Sequence, residues 1–474
     1  MVVILLATAM PWSVAAHAYS LMTHEQLIDL TWKDSIVPLL LSRYPTLTPA
    51  QLEEARAYAY GGCVIQDIGY YPFGDEAYSN LTHYVRSGDF VVNLFRNAAN
   101  ADELAFAVGA LSHYIGDSVG HSLATNVAVP VEFPKLGAKY GPAVNYAEGE
   151  HQHVQTEFAF DINEIAHHRM APLHYLRHIG LGVPVQQLAL AFYQTYGLRE
   201  DFTGKRGRRV NVGAYRFAVR GFIPRVAYAV TLLHRGHEPA DPDTPDARQV
   251  HAEAAQVAAE NNWQAYRRKA GIGTYTLAGL LFIVPKVGPL RMVAVKGPTP
   301  ETEAEYMNSV AVSTAALRRA LAGFTPPGSP KTASAGVVDA APGVEKAEML
   351  PQASRPAAAS LRPKSDGPRQ SRDPRHPLPN RDLDTGRLVQ PGGYPLTDST
   401  FAHLLHLLTR QPTEPIPPGI QEEILAYYSN LDLPITTKKN PQEWAQVLAD
   451  LATLKAMPTS KAPEPYPTYG DDAE

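Results

Sequence analysis

The stretch Leu111-Ser112-His113-Tyr114-Ile115-Gly116-Asp117-Ser118-Val119-Gly120-His121 places imidazole, carboxylate and imidazole four residues apart. On a helix of 3.6 residues per turn each such step rotates by only about 40°, so the three side chains form a ladder on one face. Rungs about 6 Å apart let His113 and Asp117 share one metal ion while His121 reaches a separate one. Gly116 and Gly120 leave space beside the ladder. Any one of these histidines alone reads as a core residue, but the three types in this spacing read as metal ligands.

A second pair, His153 and Glu157, has the i, i+4 spacing that lets two helical side chains hold one ion. His151 competes with His153, but its own i+4 partner is Gln155, a poor zinc ligand. His167, His168, His174 and His178 have no carboxylate at matching spacing and read as packing and surface residues. Between residues 65 and 75 a loop punctuated by Gly and Pro holds Asp67 and Asp75 toward its ends, with Tyr70, Tyr71 and Phe73 between them.

The elements that must position these groups are helices. Thr23 is the expected N-cap of a helix carrying His24 in its first turn, followed by Leu27, Ile28, Leu30, Trp32, Ile36 and Leu39. Thr48-Pro49-Ala50-Gln51 is a capping box with Pro at the first helical position, starting a helix toward Gly61-Gly62. Residues Ser79 to Tyr84 enter a helix expected to run through Phe95. Asn100-Ala101-Asp102-Glu103 launches the ladder helix, whose core stripe is Leu104, Ala107, Val108, Leu111 and Ile115. Further helices are expected near 182–197, 212–235, 246–270 and 299–323. With little β-alternation anywhere, the fold class reads as all-α. The apolar run Leu277 to Val284 is too short to span a bilayer, so a buried helix or hairpin is the expectation, with a lipid-touching surface element as the alternative.

With 474 residues, 45% hydrophobic and 19% charged, the chain can bury a large core in more than one domain. A net charge of −5 gives no case for long-range attraction to a polyanion, so no obligate nucleic-acid partner is expected. A single cysteine, Cys63, excludes an intrachain disulfide. Residues 1–18 read as a secretory signal, with an apolar run from Val2 to Ala9 and small residues at Ala16 and Ala18, so the exported chain would begin at Tyr19 and be secreted or periplasmic. A helical domain follows over 19–324. From 325 to 392 Pro, Ala, Ser, Gly and Arg dominate, a composition expected to form a disordered linker. A small helical unit over 393–458, docked on the main domain, and a disordered tail over 459–474 complete the expected organisation.

Tyr19-x3-Thr23-His24, Asp67, His83, His113-x3-Asp117, His121 and His153-x3-Glu157 together resemble the ligand set of bacterial zinc-dependent phospholipase C and of the related single-strand-specific zinc nucleases. The resemblance covers roughly residues 19–160 and implies an all-α fold holding three Zn2+ ions. By that resemblance, Asp67, His83, His113 and Asp117 hold one ion. The free amine and carbonyl of Tyr19, with His24 and Asp117, hold a second, and His121, His153 and Glu157 hold the third. Tyr stands where those families usually have Trp, which the chelation tolerates because only backbone atoms ligate.

Metals held in this way acidify water so that hydroxide exists near neutral pH, and they neutralise phosphoryl oxygens and the departing alkoxide. Asp67 is also a candidate catalytic base, a role the sequence does not separate from ligation. Tyr70, Tyr71 and Phe73 have two readings of equal weight: walls of a pocket for a cationic headgroup, or ordinary loop packing. The expected function is a secreted phospholipase C-type phosphodiesterase acting on phospholipid or another phosphodiester, in contact with a membrane surface. The alternatives are a nuclease or 3'-nucleotidase on the same metals, or a helical envelope protein in which zinc is structural. Oligomeric state is left open.

Overall fold

The capping signals are used largely as written. Thr48 and Gln51 exchange their capping hydrogen bonds, with Pro49 in the first turn, and the helix runs Pro49–Gly62. Asn100 accepts the Glu103 N–H at 2.9 Å and starts the ladder helix, Ala101–Gly120, which continues through a wider π turn over His121–Thr125. Asn145 and Glu148 close a further capping box at the head of Tyr146–Ala166. Thr23, expected to be an N-cap, is not one. The helix Leu21–Thr31 begins after Ser20, and the Thr23 hydroxyl is drawn to Asp161 at 2.6 Å, a partner far along the chain that no local pattern reveals. The helix expected through Phe95 is two, Glu76–Tyr84 and Ser87–Arg96, separated where Arg86 takes a left-handed conformation at φ 52°.

The computed structural model describes residues 20–71, 74–202, 212–234, 241–283, 295, 297–324, 378–417 and 419–460. Among these the architecture is all-α, with extended pairing limited to the isolated bridges Arg381–Leu388 and Ile416–Thr459. Three of the later helices fall where periodicity placed them, Val185–Tyr196, Val212–Phe217 with Ile223–His234, and Pro300–Phe324, whereas the one expected over 246–270 ends at Glu260, and Asn262 in a left-handed conformation at φ 48° separates it from the short helix Trp263–Tyr266. The expected leader over 1–18, Tyr19, Phe73, residues 203–211, residues 325–377 of the expected linker and residues 461–474 of the expected tail lie outside the described residues.

The ladder helix is the axis of the core. Its residues from Ala105 to Gly120 are all buried, and Val108, Leu111 and Ile115 sit in the principal apolar cluster. It crosses Pro49–Gly62 at very close range. A Cβ on Gly62 would meet the Phe106 carbonyl oxygen at 2.0 Å, and one on Gly109 would meet the Ala59 oxygen at 2.2 Å. Only glycine permits two backbones to approach this closely.

Residues 378–392, expected to belong to the linker, are instead packed on the helices. Gly88 is the contact point: a Cβ there would lie 2.5 Å from the Pro379 carbonyl oxygen. Ser87 Oγ donates to the Arg381 carbonyl at 2.6 Å, and the Leu383 N–H donates to the His83 carbonyl at 3.1 Å. Arg86 pairs with both Asp89 and Glu423, and Asn380 donates to both of those carboxylates, joining the body, this strap and the C-terminal helices in one buried network. The C-terminal helices are Pro395–Thr409, Ile420–Tyr427 and Pro441–Ala456.

Candidate metal centre

Two histidines of the centre, His83 and His113, are oriented through their second ring nitrogen. His83 Nδ1 lies 2.7 Å from the Ser79 carbonyl, one turn earlier on its helix, and His113 Nδ1 lies 3.0 Å from the Cys63 carbonyl on the crossing helix. A carbonyl only accepts, so both Nδ1 atoms carry a proton and Nε2 is the atom each ring has left to offer a cation. Those two Nε2 atoms face each other at 3.3 Å. Asp67 Oδ1 is 3.2 Å from His83 Nε2 and 3.6 Å from His113 Nε2; Asp117 Oδ2 is 3.3 and 3.1 Å from the same two atoms. Asp67 reaches this point from the short turn Gln66–Gly69, which is held to the following helix by Ser79 Oγ donating to the Gln66 carbonyl at 2.5 Å.

These separations test the fit to a metal. Bonds of about 2.0–2.1 Å arranged tetrahedrally place ligand atoms roughly 3.3 Å apart. The observed distances centre on that value, and all the groups are buried. Imidazole nitrogens and carboxylate oxygens converging in a buried cluster are the donor set of a divalent cation.

Asp117 turns its other oxygen, Oδ1, to His24 Nε2 at 3.2 Å, and the His24 ring stacks on His113 with centroids 4.3 Å apart. Thus His24, His113 and Asp117 make one group, Asp67, His83 and His113 a second, and His121, His153 and Glu157 a third. In the third, His153 Nε2 is 2.8 Å from His121 Nδ1 and 3.0 Å from Glu157 Oε1. The ladder divides as its spacing required: His113 and Asp117 meet, while His121 belongs elsewhere. His151, the rejected alternative to His153, is exposed.

The electrostatics follow from packing acids among imidazoles in a buried interior. Burial would raise the Asp117 carboxyl, but His113, His24 and His83 hold it well below the usual carboxylate range. Burial lowers His83, yet the Asp117 and Asp67 carboxylates overcome it and lift the ring to about 10. His24 falls to about 4, through burial and then repulsion from His113.

The aromatic residues of the Asp67 loop are placed unequally. Tyr70 is buried with its ring centroid 5.4 Å from that of His83, and its hydroxyl donates to Asn80 at 2.8 Å. Tyr71 is buried against Tyr215. His167 and His178 pair with Asp241 and Glu53 away from the centre, as packing and surface residues would.

One residue of the neighbourhood was missed by sequence reasoning. Asp384, on the strap, is 1% exposed and lies 3.5 Å from His121 Nε2. The signal available was Asp382-Leu383-Asp384-Thr385-Gly386, a turn sequence embedded in a Pro- and Arg-rich surround.

Residues 10–200 match the family model described as zinc dependent phospholipase C. That match bears out the resemblance drawn from the ligand set, over a stretch containing all nine candidate ligands. Searches of curated proteins and of solved structures gave no match. The family match and the buried His/Asp/Glu groups together support a zinc-dependent phosphodiesterase.

Proposed function

We propose that the chain is an exported phospholipase C that hydrolyses phospholipid at a centre of three Zn2+ ions. The observation that carries this is the coincidence of the three buried ligand groups with the stretch matched by the family model. Asp67, His83, His113 and Asp117 would hold one ion; His24 and Asp117, with the amine and carbonyl of Tyr19, would hold the second; His121, His153 and Glu157 would hold the third. When bound, Zn2+ supplies Lewis-acid polarisation of phosphoryl oxygens and water acidified toward hydroxide.

The chain's own residues do the remaining work. The Ser79 and Cys63 carbonyls hold Nδ1–H of His83 and His113, so that each of these two rings would offer Nε2 to the metal. Asp117 spans two groups with its two oxygens and thereby sets their separation. Asp67 accepts the proton of the attacking water, and Tyr70, Tyr71 and Phe73 flank the headgroup. The burial of the ligands keeps competing water out and strengthens each charge interaction.

Contact with lipid has a candidate surface. The run expected to be a buried helix or hairpin is the helix Ile272–Ile283, of which Ala278 and Leu281 are buried, while Ile272, Phe282 and Ile283 are 87%, 72% and 79% exposed. Arg267, Arg268 and Lys269 precede it, a basic entry suited to an anionic lipid surface. Among the described residues no helix is long and apolar enough to cross a membrane.

The deciding experiment uses protein beginning at Tyr19, with metal content measured beside hydrolysis of a phosphocholine ester and of single-stranded DNA. Three zincs and ester turnover are expected. Turnover of DNA in place of the ester assigns the nuclease chemistry, and a metal-free protein overturns the catalytic reading.

A further inference from the structure

The His121 imidazole is approached on both of its nitrogens. Nδ1 faces His153 Nε2 at 2.8 Å, inside the group completed by Glu157, and Nε2 faces Asp384 Oδ1 at 3.5 Å. A neutral imidazole has one lone pair and one N–H, so only one of these sides can serve a metal. The side that meets His153 and Glu157 is the ligand side; the other must carry the proton and needs an acceptor.

Asp384 is built to be that acceptor. Its Oδ2 takes hydrogen bonds from Tyr394 Oη at 2.6 Å and Tyr84 Oη at 3.0 Å. Its carbonyl accepts from Asn126 Nδ2 at 2.8 Å, and its N–H is held by Asp382 Oδ1 at 3.0 Å. Asp382 also accepts the Thr385 hydroxyl at 2.8 Å, fixing the turn that presents the carboxylate. With Oδ2 and the backbone committed, Oδ1 is the buried oxygen that accepts no hydrogen bond, and it is the one aimed at His121. A displacement under about 1 Å turns the 3.5 Å approach into a charge-assisted hydrogen bond.

We propose that Asp384 is the outer carboxylate of the third metal site, a positioning residue that accepts the Nε2–H of His121 and so leaves Nδ1 as the ligand atom. The inference rests on the zinc reading above and adds to it that the site is not self-sufficient within residues 10–200. The strap, outside the family match, completes it. Gly88, which gives the Pro379 backbone room to cross, and the Asn380 bridges to Asp89 and Glu423 keep the strap seated.

The test uses the full exported chain and three variants, Asp384→Asn, Asp384→Leu and Tyr394→Phe. Zn2+ affinities are measured by competition with a chromophoric chelator, and the His121 tautomer by 15N-histidine NMR of the zinc-loaded protein. Removing a carboxylate behind a ligating histidine costs about 10–100-fold in metal affinity. One zinc of three should therefore weaken by roughly 10-fold in Asp384→Asn and by up to about 100-fold in Asp384→Leu. Tyr394→Phe, which keeps the carboxylate and loses one of its donors, should fall between wild type and Asp384→Asn. The wild-type His121 signal should show Nε2–H, and Asp384→Leu should lose that preference, an effect that general loosening of the fold would not confine to one ring. Should Asp384→Leu fail to fold, Asp384→Asn and Tyr394→Phe carry the comparison. Zinc bound by the wild type with unchanged third-site affinity and an unchanged His121 tautomer in the folded variants overturns this inference alone. No zinc in the wild type overturns it together with the zinc reading.

Discussion

His83 Nε2 and His113 Nε2 face each other across 3.3 Å, each with its Nδ1–H already given to a backbone carbonyl. Two ring nitrogens at that range need a proton or a metal cation between them, and Asp117 sits beside both with one oxygen while turning the other to His24. Asp117→Ala should accordingly remove two of the three zincs, whereas Glu157→Gln should remove one. Phosphodiester turnover in Asp117→Ala should fall by more than the ~100-fold typical of an outer partner. Metal analysis by mass spectrometry, paired with initial rates, checks the two-against-one pattern; equal losses in both variants would refute the bridging role.

The orientation of His113 depends on a helix crossing. Its Nδ1 reaches the Cys63 carbonyl because Gly62 and Gly109 let the two helices close to backbone contact. Gly109→Ala must push them apart, since the new methyl would sit 2.2 Å from a carbonyl oxygen that cannot swing away. We expect destabilisation of about 1–3 kcal/mol or more by urea unfolding. Metal binding should weaken as well, because the carbonyl that fixes the His113 tautomer moves with the displaced helix. A stable Gly109→Ala protein with normal zinc affinity would show that the close crossing does not set the site.

If Ile272–Ile283 rests on lipid, Phe282 and Ile283 contribute by burying apolar surface. Each fully buried side chain of this size is worth about 1.5–3 kcal/mol, so Phe282→Asp with Ile283→Asp should lower partition to anionic vesicles by at least roughly 10-fold. Neither side chain belongs to the metal centre, and hydrolysis of a water-soluble ester should be unchanged. Vesicle sedimentation beside a soluble-substrate assay separates the two effects.

What was legible in the sequence was what is local. The capping residues Thr48, Asn100 and Asn145 announce their helices, and His113, Asp117, His153 and Glu157 follow from helical spacing alone. Contacts between distant segments were not legible. Ser20 rather than Thr23 precedes the first helix because Asp161 draws the Thr23 hydroxyl and backbone inward. Asp384 was hidden by composition: Pro and Arg around it depress any estimate of order, while its seat is made by Gly88, Tyr84, Asn126 and Tyr394, none of which is near it in sequence except the last.

Asp161 also provides a pH test of how the N-terminal segment is anchored. Its carboxylate accepts the N–H groups of Met22 and Thr23 at 2.9 and 3.1 Å and the Thr23 hydroxyl, just ahead of His24. Burial outweighs these bonds and lifts its pKa from 3.8 to about 6. A carboxyl whose folded pKa is raised contributes stability that is full below its unfolded pKa and is lost as pH rises through the folded one. The interval from 3.8 to about 6 corresponds to roughly 3 kcal/mol. Asp161→Asn holds a neutral group at every pH, so wild type should lose about that much relative to the variant between pH 4 and 7. The metal ligands titrate alike in both proteins and cancel in the difference. Urea unfolding of the pair at several pH values reads this directly, and a difference that stays flat, or that grows in favour of wild type as pH rises, would show that Asp161 is held as a stabilised anion instead.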